Sequence, residues 1–378
     1  MADERIEGYA TPEGTARFRA RFADAAEGHF RREQNLWLSS VGLGTYLGEW
    51  DEETDRRYAE AAALAVALGA NVLDTAANYR FQRSERSIGT ALGELTGSQG
   101  FARDELLICT KGGYLPFDGE PPRGREAVRK YVEETFVKTG VADFSDIAGG
   151  SHCMTPRYLE NQLEQSLSNM NVAAVDVYYL HNPETQLSAV TRAEFERRLR
   201  DAFAELERHV AAGRLRMYGA ATWNGFRVEP SAREYLSLER MTELAREAAG
   251  GTEHHFRFVQ LPFNLAMPEA LVLDNQTYQG RRMSILEVAR ALSVTVVSSA
   301  SIMQGKVARD LPERVREPLG SLETDAQTAI QFVRSTPGIT TALVGMSRRE
   351  HVEENLRLAR VAPAATEDYQ RLFAGGEE

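Results

Sequence analysis

Apolar and β-branched positions along this chain gather into eight short runs, most of them followed by a longer stretch whose apolar residues recur at three-to-four spacing. The runs are SSVGLGTYLG (39–48), ANVLDTA (70–76), ELLICTKGG (105–113), AVDVYYLHNP (174–183), RLRMYGAATW (214–223), FRFVQLPFN (256–264), SVTVVSSAS (293–301) and TTALVGMS (340–347). Runs of this length and composition read as buried strands. TDRRYAEAAALAVALGA (54–70) and YLENQLEQSLSNMN (158–171) read as helices, each closing on a helix-stop residue, Gly69 or Asn171. Residues 194–213, 234–250 and 283–293 repeat the helical pattern. Alternation of this kind predicts an α/β fold with parallel strands and crossover helices. Eight repeats favour a closed (β/α)8 TIM barrel over an open doubly wound sheet.

Two segments stand outside the repeat. Residues 1–35 form an N-terminal extension of mixed charge, expected to be either a helix packed on the barrel or a loose arm. The barrel domain is expected over 36–378 and includes an insert, 114–157, between the third strand and its helix, where a few loop residues would suffice. The insert carries five aromatic residues and a helical pattern around 124–138. It follows the C-terminal end of a strand, the barrel face that holds active sites, so it is a candidate lid or substrate-selecting element. The alternative is a surface or dimer-contact excursion through which the chain forms an oligomer.

The bulk composition narrows the partners. Of 378 residues, 43% are hydrophobic and 26% charged, as in ordinary soluble domains. A net charge of −11 argues against nucleic acid and anionic membrane surfaces as partners. The longest apolar stretch, AAALAVALGANVL (61–73), is too short to span a bilayer, and the charged N-terminus lacks a signal-peptide core. With only Cys109 and Cys153 there is no disulfide framework, and a cytoplasmic protein is expected. His254 and His255 lack a third ligand at useful spacing, so no metal is expected.

In a barrel, polar groups at the C-terminal ends of strands converge on one mouth. Asp74 ends the second strand, with Tyr79 in the loop beyond; Lys111 ends the third and His181 the fourth. Singly, each has a structural explanation as a helix cap, a snorkelling amine, a wetted phenol or a loop-bonding imidazole. Together they suggest proton transfer. A phenol has a reference pKa near ~10, and a neighbouring ammonium lowers it. Lys111 would do this, held by Asp74, while His181 would bond the substrate oxygen or relay a proton. Such a tyrosine can protonate a carbonyl oxygen as a hydride reaches its carbon.

At this point the sequence resembles the aldo-keto reductase family. Asp74, Tyr79 five residues later, Lys111 and His181 match that family's catalytic pattern, and VGLGT (41–45), SERSIGTAL (84–92), TKGG (110–113) and YYLHNP (178–183) match its surrounding words. The resemblance extends from residue 38 to about 360, apart from the insert. It implies a barrel, a nicotinamide cofactor held without a Rossmann domain, and reversible carbonyl reduction.

The resemblance also implies cofactor contacts. Gly44 and Thr45 would lie beside the nicotinamide ribose with Asp74, and Gln260 would bond the carboxamide. The family's Ser-Asn pair after the fifth strand is replaced by Ala221-Thr222, leaving a hydroxyl at Thr222. Ser298 stands at or near a position that often carries a stacking aromatic, and Ser299 is a pyrophosphate or ribose candidate. In LVGMSRREHVEENLRL (343–358), Glu354 and Asn355 match adenine contacts, while Gly345, Ser347 and His351 surround the 2′ group of the ribose. A common lysine is replaced by Gly345, but Arg348 and the adjoining Arg349 favour NADP(H) over NAD(H). Their alternative is pairing with Glu350 and Glu353.

On the substrate side, Tyr46, Trp50, Arg80, Tyr114 and Trp223 are candidates. An aromatic mouth with scattered polar groups would suit sugars, steroid-like rings or polyketide carbonyls alike. The expected function is NAD(P)-dependent oxidation or reduction of an aldehyde, ketone or sugar, Tyr79 serving as general acid/base. The alternative is a cofactor-binding regulatory or interaction subunit with little turnover.

Overall fold

The computed structural model describes residues 5–251 and 253–373. Eight parallel strands close into a barrel: β1 (Val41–Gly44), β2 (Val72–Asp74), β3 (Leu107–Gly112), β4 (Val175–His181), β5 (Leu215–Ala221), β6 (Phe256–Pro262), β7 (Thr295–Ser299) and β8 (Ile339–Gly345), with β8 pairing back onto β1. The helices that follow them are α1 (Glu52–Ala67), α2 (Arg83–Gly97), α3 (Pro156–Met170), α4 (Arg192–Ala211), α5 (Leu238–Ala248), α6 (Ile285–Ala291), α7 (Asp325–Ser335) and α8 (Arg349–Leu356). The (β/α)8 architecture is therefore as the alternation of patterns requires. No helix of the described residues is long and apolar enough to cross a membrane.

Local chemistry sets the boundaries. Asp51 caps α1 by accepting the Thr54 amide at 2.7 Å, and Ser284 and Glu287 form a reciprocal capping box at the start of α6. Gly69 just past α1 (φ +104°) and Asn171 just past α3 (φ +52°) take the left-handed conformation that ends a helix. The strands are apolar on both faces because one face meets the helices and the other fills the barrel. On β3, Ile108 belongs to the outer cluster, whereas Leu107 and Cys109 belong to the inner one.

The lower end of the barrel is closed by the N-terminal segment. A helix (Pro12–Arg21) leads to an antiparallel hairpin (Phe30–Glu33 with Leu36–Ser39), and Ala10, Leu36 and Leu38 join the inner cluster. The insert forms a helix (Arg125–Val132) continued by a single π turn (Glu133–Val137), in place of the one pattern expected at 124–138.

Asp176, fully buried at the start of β4, ties three segments together. Its Oδ1 accepts the Ala10 amide at 2.5 Å, and its Oδ2 accepts the Arg103 guanidinium and the Ile108 amide, both at 2.8 Å. Removing one partner of a buried pair strands the other charge, at a cost of about 3–5 kcal/mol. We therefore expect Asp176→Ala to lower the unfolding free energy, read from denaturant titration, by an amount of that order. A double change with Arg103→Met should recover part of the loss, and strict additivity of the two would show that the pair is not coupled.

Candidate active site

The C-terminal ends of the strands open onto a cavity of about 880 Å³. Strand parity decides which residues reach it. The inner cluster contains Val72 on β2, Cys109 on β3, Tyr179 on β4, Phe258 on β6 and Leu343 on β8. Two residues beyond each of these stand Asp74, Lys111, His181, Gln260 and Gly345. The sheet register pairs Gly44 with Asp74, Lys111 with Tyr179, His181 with Ala221, and Ala221 with Gln260.

Lys111, fully buried, lies 2.5 Å from Asp74 Oδ1 and also donates to the Thr75 carbonyl at 2.8 Å. The other Asp74 oxygen accepts from Gln260 Nε2 at 2.8 Å, and the Asp74 carbonyl accepts from Thr45 Oγ1 at 3.2 Å. Burial pulls the lysine's pKa down, but the adjacent Asp74 and Tyr79 outweigh it and hold the pKa above its ordinary value, so Lys111 is an ammonium. Its Nζ sits 4.8 Å from the centre of the Tyr79 ring. The phenol's own pKa is raised rather than lowered: burial raises it, and the Lys111 charge opposes that rise without reversing it. The cation thus restrains the shift, where the sequence suggested a value below the ordinary one.

Tyr79 is placed by an unusual turn. Arg80, Phe81 and Gln82 follow it with φ of 48°, 57° and 73°, three consecutive non-glycine residues in left-handed conformation. Arg80 is held by the Glu49 carbonyl at 2.7 Å and by Asp55 at 2.5 Å. Gln82 accepts from Asn169 at 3.0 Å and donates to the Phe117 carbonyl of the insert at 3.2 Å.

His181 packs edge-on to Tyr79, the ring centres 5.8 Å apart, and edge-on to Tyr114 at 5.1 Å. Behind it lies a residue of the insert that sequence reasoning missed, His152. Its Nε2 bonds the His181 carbonyl at 2.8 Å, and its Nδ1 meets Gln186 Nε2 at 2.8 Å, while Gln186 Oε1 accepts from Arg198 at 2.7 Å. A carbonyl only accepts, so the Nε2–H tautomer of a neutral ring is required. Gly113 leaves the room: a Cβ there would stand 2.8 Å from His152 Nε2. Burial brings the His152 pKa down to about 4, and burial together with the Lys111 charge holds His181 well below its ordinary value.

Of the remaining candidates, Gly44, Thr45, Tyr46, Tyr114, Thr222, Trp223, Ser299, Gly345, Ser347 and His351 line the cavity with Asp74, Tyr79, His181 and Gln260. Six others do not. Arg80 is turned back into the protein by the left-handed turn, and Trp50 packs on Phe81 with ring centres 5.2 Å apart. Ser298 has outward parity and donates to the Phe263 carbonyl at 2.9 Å. Arg348 stands at the N-cap of α8; Glu354 accepts from Thr324 at 2.6 Å, and Asn355 is buried beneath the helix. The neighbouring Arg349 pairs with Glu353 at 2.9 Å. His255 is engaged by Glu207 at 2.7 Å, and no group of three or more potential metal ligands occurs among the described residues.

The segment after β7 was also missed. Ser301, Gln304, Gly305 and Arg309 line the cavity, and Ala300, Met303 and Gln304 adopt positive φ without the glycine that would signal it.

Comparison with known proteins agrees with this geometry. The model of the aldo/keto reductase family matches residues 40–237. A Schizosaccharomyces pombe protein proposed to be a voltage-gated potassium channel subunit beta is 23% identical over 341 residues, 87% of this chain and 86% of that one. Among solved structures, an aldo/keto reductase from Klebsiella pneumoniae in complex with NADP and acetate superimposes with a TM-score of 0.60 at 18% identity, covering 92% of this chain and 95% of that chain. The glycerol dehydrogenase of Gluconobacter oxydans gives 0.60 at 18% identity, over 92% and 94%. At such identity the structural likeness speaks for the fold.

The His152 arrangement has a pH signature. The imidazole binds a proton near 6.5 when unfolded and near 4 when folded, so the unfolded chain takes up protons first. Its stabilising contribution is complete above about pH 6.5 and is lost as pH falls towards 4. Histidine ¹H–¹⁵N spectra should show His152 as the neutral Nε2–H tautomer at pH 5.5, assigned by its loss in His152→Gln. A His152 titration near 6.5 would contradict the buried bond to the His181 carbonyl.

Proposed function

The chain belongs to the aldo/keto reductase family, and from that premise we propose an NADP(H)-dependent oxidoreductase that interconverts the carbonyl of an aldehyde, ketone or sugar with its alcohol. The observation that carries this reading is the Lys111–Asp74 ion pair, 2.5 Å long, set beside the Tyr79 ring at the cavity with His181 edge-on to the same ring.

The residues present suit the nicotinamide dinucleotide. Thr222 Oγ1 is buried without a partner, and Gln260, its amide nitrogen committed to Asp74, keeps Oε1 available to a carboxamide N–H. Ser347, His351 and Arg309 supply the polar wall for the phosphate-bearing end. Arg309 lines the cavity, is exposed and makes no ion pair among the described residues, so it can join Arg348, likewise exposed, in meeting a 2′-phosphate, while Arg349 is engaged by Glu353. When bound, the cofactor supplies or accepts the hydride.

The chain's own residues handle the proton. In reduction, Tyr79 gives its proton to the carbonyl oxygen, and the phenolate left behind is stabilised by the Lys111 ammonium. His181, neutral at physiological pH, donates a hydrogen bond to the same oxygen. Asp74 keeps Lys111 charged and in place. In oxidation the Tyr79 phenolate removes the proton from the alcohol.

The likeness to a potassium channel subunit beta favours a second reading, a regulatory subunit that binds the cofactor and a partner protein. Turnover separates the two. With NADPH and a panel of short aldehydes, Tyr79→Phe should cut kcat/KM by at least ~10²-fold, the scale of general acid catalysis. Lys111→Met should cut turnover comparably while NADPH binding, read by nucleotide fluorescence, changes only a few-fold. Tight NADPH binding with wild-type turnover no better than Tyr79→Phe would favour the regulatory subunit.

A further inference from the structure

Beside the catalytic cavity lies a second pocket of about 360 Å³, at the low end of the ~300–1,000 Å³ typical of ligand sites. Tyr114, Asn182 and Trp223 line both spaces, so the two share a wall. That wall is fixed by hydrogen bonds: Asn182 Nδ2 donates to the Tyr114 hydroxyl at 3.1 Å, and the same hydroxyl meets Thr185 Oγ1 at 3.3 Å.

The second pocket is a built site. Glu184, 7% exposed, accepts the backbone amides of Trp223, Asn224 and Gly225 on one carboxylate oxygen, at 2.8, 3.1 and 3.3 Å. These bonds fix the turn that holds the Trp223 indole out at 49% exposure. The other carboxylate oxygen of Glu184 is buried and has no hydrogen-bond partner. A buried acceptor without a donor is costly, and a ligand hydroxyl would satisfy it.

The other walls identify the class of ligand. Ser188, Asn224, Arg233 and Glu234 contribute hydroxyl, amide and both signs of charge, while Leu187 is the single aliphatic residue lining the pocket. Ser188 and Arg233 already bond the Thr185 and Ser188 carbonyls, but a steroid-like or polyketide tail would leave the Asn224 side-chain amide and the Glu234 carboxylate without a partner. A polyhydroxylated ring meets them with donors and acceptors and lays its C–H face on Trp223 or Tyr114.

We propose that this pocket is a distal subsite for a second sugar unit. The substrate is an aldehydo- or keto-sugar carrying a further glycosyl group, its carbonyl at Tyr79 and His181 and its glycosyl group on Glu184, Asn224 and Arg233. The proposal rests on the reductase reading above and narrows it. In the reaction the C=O π bond breaks, one C–H and one O–H bond form, the proton comes from Tyr79, and NADPH is oxidised to NADP⁺.

The test uses the full chain with NADPH and compares glucose with reducing disaccharides of β-1,4, α-1,4 and α-1,6 linkage, glyceraldehyde serving as the small reference carbonyl. At least one disaccharide should exceed glucose in kcat/KM by about tenfold, equivalent to 1.4 kcal/mol. Asn224→Ala and Arg233→Ala should each remove that excess and leave the ratio of glucose to glyceraldehyde turnover within twofold. In Tyr79→Phe with NADP⁺, the preferred disaccharide should quench tryptophan fluorescence at lower concentration than glucose does, and Asn224→Ala should abolish the difference. Reduction of glyceraldehyde with no disaccharide preference, or a preference that survives both substitutions, overturns the subsite and leaves the reductase reading standing. Turnover of every carbonyl at the Tyr79→Phe level removes the reductase reading and the subsite with it.

Discussion

The buried contact between Lys111 and Asp74 is the constraint on which the site depends. An ammonium and a carboxylate taken out of water need each other: losing one partner costs ~3–5 kcal/mol, whereas replacing both by apolar groups is often neutral. Such a pair is therefore a poor device for stability and a good one for placing charge. Asp74 uses one oxygen for Lys111 and the other for Gln260, so a single carboxylate fixes the ends of β2, β3 and β6 relative to one another. Lys111 stays charged because of it, and the charge faces the Tyr79 ring.

The insert after β3 supports both flanks of that arrangement. On one side, Gln82 in the left-handed turn after Tyr79 donates to the Phe117 carbonyl, and Arg86 pairs with Asp118. Three successive non-glycine residues at positive φ are strained, of order 1–3 kcal/mol each, and persist only when over-determined by neighbours. The bonds of Arg80 to Glu49 and Asp55, and of Gln82 to Asn169 and Phe117, are those neighbours. On the other side, His152 grips the His181 carbonyl, and Tyr114 packs against both histidines. Tyr114 also lines the cavity, so the insert contributes a wall of the site as well as its buttress.

Much of this was legible in the amino-acid pattern, and the failures have physical causes. The barrel follows from alternation, and the convergence of Asp74, Lys111, His181 and Gln260 follows from strand ends. Strand parity would also have excluded Ser298, which lies one step out of phase with Val297 of the inner cluster. Helices α2 and α7 are not among the predicted stretches; in α7 Gln327, Thr328, Gln331 and Arg334 are buried although polar, so residue type does not mark its inward positions. Arg80 looked like a substrate contact because nothing in its residue type announces a left-handed backbone; the same holds for Met303 and Gln304 beside the cavity. His152 is remote in sequence from His181 and meets it only through the folded insert.

The central claim is that Tyr79, beside the Lys111–Asp74 pair, protonates a carbonyl whose carbon receives a hydride from the nicotinamide. Its most direct test follows the hydride, reducing an aldehyde in ordinary water with NADPH deuterated at the transferable C4 position and reading the product by mass spectrometry and NMR. We expect one deuterium on the former carbonyl carbon for each NADPH oxidised. A product with no carbon-bound deuterium, or NADPH oxidation without alcohol formation, would contradict it.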